Sequence, residues 1–182
     1  MPDIEHFDHQ FFELSADDAL YMDPQQRLFL QTVWKTIESA GYNAAAVKSQ
    51  AVGVFVGVEF SDYKDYLAQH APRYNAEMVI GNALNMIPNR VSYYFDFTGP
   101  SEAVDTACSS SLVALHRAVR SIQSGESSMA IAGGVSVILS PQTMIGTSQL
   151  NIYSKDGRCK TFDQDANGYV KGEGVAAVLL KP

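Results

Sequence analysis

Cysteine is scarce in this sequence: Cys108 and Cys159 are the whole complement. Two such distant thiols make neither a disulfide framework nor a metal-ligand cluster, and they suit a reducing, cytoplasmic setting. Long apolar runs are also missing. No window approaches the roughly 18 consecutive apolar residues that a membrane helix needs, and the opening "MPDIEHFDHQFF" lacks the basic-then-apolar layout of a signal peptide. Positive charge is in deficit, with 13 Lys and Arg against 20 Asp and Glu and a formal charge of −7. Nucleic acid is therefore not an expected partner, because phosphate binding needs a basic footprint. The closest basic group, Lys155, Arg158 and Lys160, reads as a solvated loop. No internal repeat, low-complexity tract or Pro/Gly-rich linker divides the 182 residues, so one folded unit is expected.

What the sequence does contain is an alternation of helical and strand-like segments. Residues 23–40 carry a complete helix signature: Asp23 to cap, Pro24 at the first helical position, and Gln26 where a capping-box partner belongs. Leu30, Val33, Trp34, Ile37 and Ala40 line one predicted face, and Gly41 stops the helix. "AVGVFVGV" (51–58) is an unbroken apolar run of strand length, as expected for a strand covered on both sides. Residues 76–95 predict a helix after Pro88, with Gly81 and Pro88 as boundaries. "SEAVDTA" reads as a short strand. From Ser109 to Ser124 the set Leu112, Leu115, Val119 and Ile122 predicts a helix that buries those four side chains and ends at Gly125. "MAIAGGVSVIL" (129–139), whose Gly133 and Gly134 permit close backbone approach, and "GVAAVLLK" (174–181) read as further buried strands. The pattern predicts a layered α/β fold with a largely parallel sheet.

Cys108 falls where a strand turns into a helix. Backbone N–H groups at a helix start and the helix dipole both favour a negative charge, hence the attacking thiolate. The same N–H groups suit the oxyanion formed when a thiolate adds to an ester or thioester. Thr106, Ala107, Ser109 and Ser110 are small, which leaves room for an acyl group beside the sulfur. Spacing alone leaves a second reading open, since a free cysteine is commonly a small buried hydrophobe.

The wording around Cys108 goes further. "VDTACSSSL" (104–112) resembles the active-site signature of β-ketoacyl synthases, specifically the ketosynthase domains of modular type I polyketide synthases. The segments 7–42, "GVFVGV" (53–58), "NRVSYYFDFTGPS" (89–101), "AIAGGVSVILSP" (130–141) and "SKDGRCKTFDQDANGYVKGEGVAAVLLK" (154–181) follow in that family's order. The resemblance implies a thiolase-like fold, here an incomplete part of the N-terminal half of a layered αβαβα architecture. It implies Cys108 as nucleophile and backbone N–H oxyanion donor, with Thr106, Ala107 and Ser109 beside the substrate. It also implies acyl groups carried on the phosphopantetheine of an acyl carrier protein, with no cofactor bound to the chain itself. Transfer of an acyl group to Cys108 then precedes decarboxylative Claisen condensation with a malonyl unit. Expected partners are acyl carrier protein domains, the remaining half of the ketosynthase and, in the complete enzyme, a second copy.

The family's pattern is also incomplete here. Its catalytic histidines belong to a second half, one of them in a His-Gly-Thr-Gly-Thr motif that does not occur in this sequence. His116 is no substitute: eight residues along a helix place it roughly 12 Å from Cys108 and roughly 80° round the axis. The family's opening strand and loop do not precede residues 7–42, so residues 1–182 are expected to form one incomplete half-domain that does not condense alone. The rival reading is a non-catalytic remnant or scaffold half that assembles with a partner chain and leaves Cys108 incidental. A cysteine hydrolase would need a nearby histidine. Tyr169, Lys171 and Glu173 in "NGYVKGEG" are expected to be structural, since P-loop spacing is absent. "DQDAN" (163–167) lacks the ligands of a calcium loop, so no metal is expected, and Cys159 reads as non-catalytic.

Overall fold

A computed structural model describes residues 1, 4–71 and 75–182. In chain order the elements are α1 (Ala16–Tyr21), α2 (Pro24–Ser39), α3 (Ala44–Val47), β1 (Val52–Gly57), α4 (Tyr63–His70), α5 (Ala76–Gly81), α6 (Met86–Phe95), β2 (Ser101–Val104), α7 (Ser110–Gln123), β3 (Met129–Ser136), α8 (Pro141–Ser148) and β4 (Gly174–Leu180). The strands form one sheet in the order β2-β1-β3-β4. β1 pairs in parallel with both β2 and β3, and β3 pairs antiparallel with β4. Parallel neighbours need crossover connections. Helices α4 to α6 supply the one from β1 to β2, and α7 supplies the one from β2 to β3.

Strand alternation sorts the side chains into two unequal layers. Val52, Val54 and Val56 of β1, with Met129, Ile131 and Val135 of β3, join Phe29, Leu30, Val33 and Ile37 of α2 and Ile87, Val91 and Phe95 of α6 in the main core. The other side holds Phe55, Val104, Ala114, Ala118, Ala130 and Ala132, between the sheet and α7. Large side chains thus fill the space under α2 and α6, while alanine and glycine let α7 lie close on the opposite face. An ion pair from Arg117 of α7 to Glu102 of β2, at 2.5 Å, ties that helix to the sheet edge.

This asymmetry overturns the expected face of α7. Its buried residues are Ser110, Ala114, Ala118 and Ser121, whereas Leu112 is 71% and Val119 38% exposed. Leu115 and Ile122 are partly buried at the flank. A sheet surface built of Gly57, Ala130, Ala132 and Gly134 accepts small residues at close range and has no hollow for a leucine.

Helix α2 runs as expected from its cap: the Asp23 carboxylate accepts from Gln25 N at 2.8 Å, and Gly41 follows at φ 82°. Gln26 does not complete a capping box. Its amide donates instead to Gly81 O at 2.7 Å, and Asp23 N donates to the same carbonyl at 2.8 Å, so two donors of α2 are satisfied by the end of α5. Leu30, Val33 and Ile37 are buried, Trp34 partly so, and Ala40 is exposed. Helix α6 begins at Met86, which puts Pro88 in the first turn, where its missing N–H costs nothing. β4 is not a buried strand but an antiparallel edge: Val175, Ala177 and Leu179 pack on the main core, and Val178 is 48% exposed.

Candidate active site

Cys108 sits on a tight elbow between β2 and α7. Ala107 has φ 55°, the left-handed conformation, and the turn is closed by short polar contacts. Ala107 N donates to Asp105 Oδ1 at 3.1 Å, and Thr106 N to Ser110 Oγ at 2.9 Å. Ser110 Oγ donates in turn to Ala107 O at 2.6 Å. Ser109 Oγ donates to Thr106 O at 2.8 Å and contacts Thr106 Oγ1 at 2.9 Å. The four small residues around the thiol therefore form the turn itself. Helix α7 starts one residue later than expected, at Ser110 with Ser109 as N-cap. Cys108 thus precedes the cap and is exposed.

Two glycines seat this elbow. A Cβ on Gly57 would lie 2.4 Å from Ser111 N, and one on Gly134 would lie 3.0 Å from Ser111 Cβ. Both stand at the carboxyl ends of parallel strands, where open α/β sheets place their ligand crevices. A cavity of 630 Å³ opens there, and Cys108 and Ala107 line it together with Glu59, Phe60, Tyr169 and Lys171. Thr106 and Ser109 face each other across the turn rather than the cavity.

The remaining walls are pinned by buried polar groups. The Asp62 carboxylate accepts from Leu139 N at 3.1 Å and Ser140 N at 2.9 Å, holding the segment after β3. Gln25 donates to Phe60 O at 2.7 Å and accepts from Val137 N at 3.2 Å, joining the ends of β1 and β3. Behind it, burial pushes the Asp23 carboxyl above its ordinary range, although Ser61 Oγ donates to it at 2.6 Å. Lys171 lies over the Phe60 ring, 4.8 Å from its centroid, so two cavity-lining residues meet each other. Glu173 accepts a hydrogen bond from Ile138 N at 2.9 Å.

The segment expected to be merely structural thus forms one side of the cavity. Tyr169, Lys171 and Glu173 were not legible as site residues, because they lie more than fifty positions from Cys108 and carry no motif of their own. His116 is exposed on α7. Cys159 is exposed and accepts from Val170 N at 3.2 Å. Among the described residues no group of three or more His, Cys, Asp or Glu is arranged to hold a metal ion, and no helix is long and apolar enough to cross a membrane.

The chain matches, over residues 1–182, the family described as beta-ketoacyl synthase, N-terminal domain. Polyketide synthase PksL of Bacillus subtilis is 49% identical over 189 residues, covering 100% of this chain and 4% of that protein. The 6-methylsalicylic acid synthase of Aspergillus niger is 43% identical over 181 residues, 100% of this chain and 10% of that protein. Among solved structures, an oxazolomycin ketosynthase domain of Streptomyces albus superposes with a TM-score of 0.92 at 44% identity. The ketosynthase from module 6 of the bacillaene synthase of Bacillus subtilis gives 0.89 at 40%. Each match covers all of this chain, and 32% and 31% of the respective ketosynthase chains. The thiolase-like fold implied by the sequence resemblance is the fold of these domains, and this chain spans about a third of it.

Proposed function

The chain belongs to the β-ketoacyl synthase family, and from that premise we propose that it contributes the acyl-accepting nucleophile, Cys108, to a polyketide ketosynthase. The observation that carries this reading is an exposed thiol on a locked left-handed elbow, at the mouth of a 630 Å³ cavity where parallel strands β1 and β3 end.

In the proposed reaction the Cys108 sulfur, as thiolate, attacks the carbonyl of an acyl group held as a thioester on the phosphopantetheine of an acyl carrier protein. The backbone N–H of Cys108 stabilises the tetrahedral oxyanion, with the dipole of α7 adding to it. Addition forms the bond from the Cys108 sulfur to the acyl carbon; collapse of the oxyanion restores the carbonyl and breaks the thioester bond to the pantetheine sulfur, which leaves as thiolate and takes a proton. Ala107 walls the acyl group on the cavity side, while Thr106 and Ser109 act by holding the turn. In the second half-reaction a malonyl thioester loses carbon dioxide, and its carbanion attacks the acyl-cysteine carbonyl, expelling the cysteine thiolate. The histidines for that step come from the remaining part of the ketosynthase.

Residues 1–182 form one incomplete half-domain in this reading. The exposed Leu112 and Val119 of α7 are the surface on which the remaining half packs, and the complete enzyme is a cytoplasmic homodimer served by carrier-protein domains. The net charge of −7 speaks against nucleic acid as a partner.

Intact-mass measurement tests the assignment. Exposed to an acyl pantetheine thioester with the rest of the ketosynthase supplied in trans, the chain gains one acyl mass on Cys108. The adduct is lost in Cys108→Ser and kept in Cys159→Ser. Absence of an adduct under those conditions sinks the enzyme reading and leaves a non-catalytic assembly half.

A further inference from the structure

One wall of the cavity is built with more care than packing requires. Tyr169 is 40% exposed, yet its backbone is fixed at both ends: its N–H donates to Ile152 O at 3.0 Å, and its carbonyl accepts from Ser154 N at 2.9 Å. Gly168, at φ 131°, makes that pairing possible, since a Cβ there would meet Ser154 N and Tyr153 C at 2.5 Å. The pairing sets Tyr169 edge to face against Tyr153, with ring centroids 5.2 Å apart at 72°. Tyr169 lines the cavity together with Cys108 and Glu59. Burial first, then the charge of Tyr153 and a hydrogen bond with it, then Cys108 and Glu59, push its phenol pKa upward; like any phenol, it carries its proton at neutral pH.

We infer that Tyr169 is a specificity-determining residue: its hydroxyl donates a hydrogen bond to an oxygen substituent near the thioester of the acyl group on Cys108. The site thereby favours oxygenated over saturated acyl chains. The inference rests on Cys108 being the acyl-accepting nucleophile. The cavity that Tyr169 lines also carries Phe60, Val137 and Val170, against which a saturated chain packs without offering the phenol an acceptor. A substituent oxygen supplies the acceptor. The phenol therefore adds a hydrogen bond to an oxygenated chain that a saturated chain cannot make, a net gain of about 1 kcal/mol, or roughly fivefold.

The test compares the wild-type chain with Tyr169→Phe, both with the remaining ketosynthase sequence present. The variant keeps the ring and removes only the donor. Acylation of Cys108 is followed by mass with two N-acetylcysteamine thioesters, butanoyl and β-hydroxybutanoyl. The expected result is a loss of about fivefold to tenfold with β-hydroxybutanoyl, and a change within about twofold with butanoyl. Alkylation of Cys108 by iodoacetamide is measured alongside, and an unchanged rate establishes that the elbow is intact. If Tyr169→Phe leaves the ratio of the two acylation rates unchanged, the inference is overturned while the nucleophile assignment stands. If wild type forms no adduct with either thioester, both fall together.

Discussion

Replacing Gly57 by alanine sets a methyl group against the backbone that carries Cys108. The new Cβ would lie 2.4 Å from Ser111 N and 2.6 Å from Ser110 C and Ser111 Cα. Ordinary contact begins at 3.4 Å, so the shortfall is 3.4 − 2.4 = 1.0 Å. No flexible side chain can absorb it, because every one of those atoms is main chain at the start of α7. The helix must lift or the strand must bow, at a cost of about 1–3 kcal/mol, as for other overpacked interiors. A displacement of about 1 Å at the elbow also misplaces the sulfur against its oxyanion donor, and about a hundredfold loss in acylation of Cys108 is expected. Two companion glycines calibrate the effect. Gly134→Ala meets Ser111 Cβ at 3.0 Å, a milder conflict. Gly146→Ala within α8 has nothing within 4 Å and is neutral or stabilising by up to about 1 kcal/mol. Urea midpoints give the stabilities and intact-mass kinetics the acylation rates. A Gly57→Ala protein within about 0.5 kcal/mol of wild type and fully reactive would refute the seating of the elbow on β1.

Two further perturbations probe other parts of the fold. Ala118→Leu forces a large side chain between α7 and the sheet and should cost about 1–3 kcal/mol, while Leu112→Gln on the exposed side should stay within about 0.5 kcal/mol. Urea denaturation of the isolated chain separates the two, and the reverse order would restore the face expected from apolar periodicity. For Asp23, burial raises the carboxyl, so the folded state holds its proton to higher pH than the unfolded chain does. Its contribution is full below about pH 4 and is lost as pH rises through the raised value. Asp23→Asn cannot titrate, so its stability relative to wild type should improve between about pH 4 and pH 7, read from denaturation midpoints across that range. A gap that does not change with pH would show that burial is not the dominant influence on this group.

The outcome at particular residues separates what is local from what is not. Helix α2, with Asp23 and Pro24 at its start and Gly41 at its end, was readable because capping and φ preferences act within one turn of chain. β1 was readable because an unbroken apolar run has one economical placement, buried on both sides. The elbow at Cys108 was readable from its wording, and the helix after it from its period. The period did not say which side of α7 faces the sheet. That choice rests with Gly57, Ala130, Ala132 and Gly134, contributed by strands on either side of the helix in sequence, whose small volumes admit Ala114 and Ala118 and exclude Leu112.

Gln26 illustrates the same division, since its position fits a capping box and its amide instead serves Gly81, 55 residues away. The antiparallel edge β4 and the cavity wall of Tyr169 and Lys171 likewise exist only once the chain has returned to lie beside β3 and Phe60. Short-range preferences, capping and strand burial, are properties of neighbouring residues and follow from the sequence alone. The depth of α7 on the sheet and the far wall of the cavity depend on matching volumes and donors across long stretches of chain, which only the tertiary structure decides.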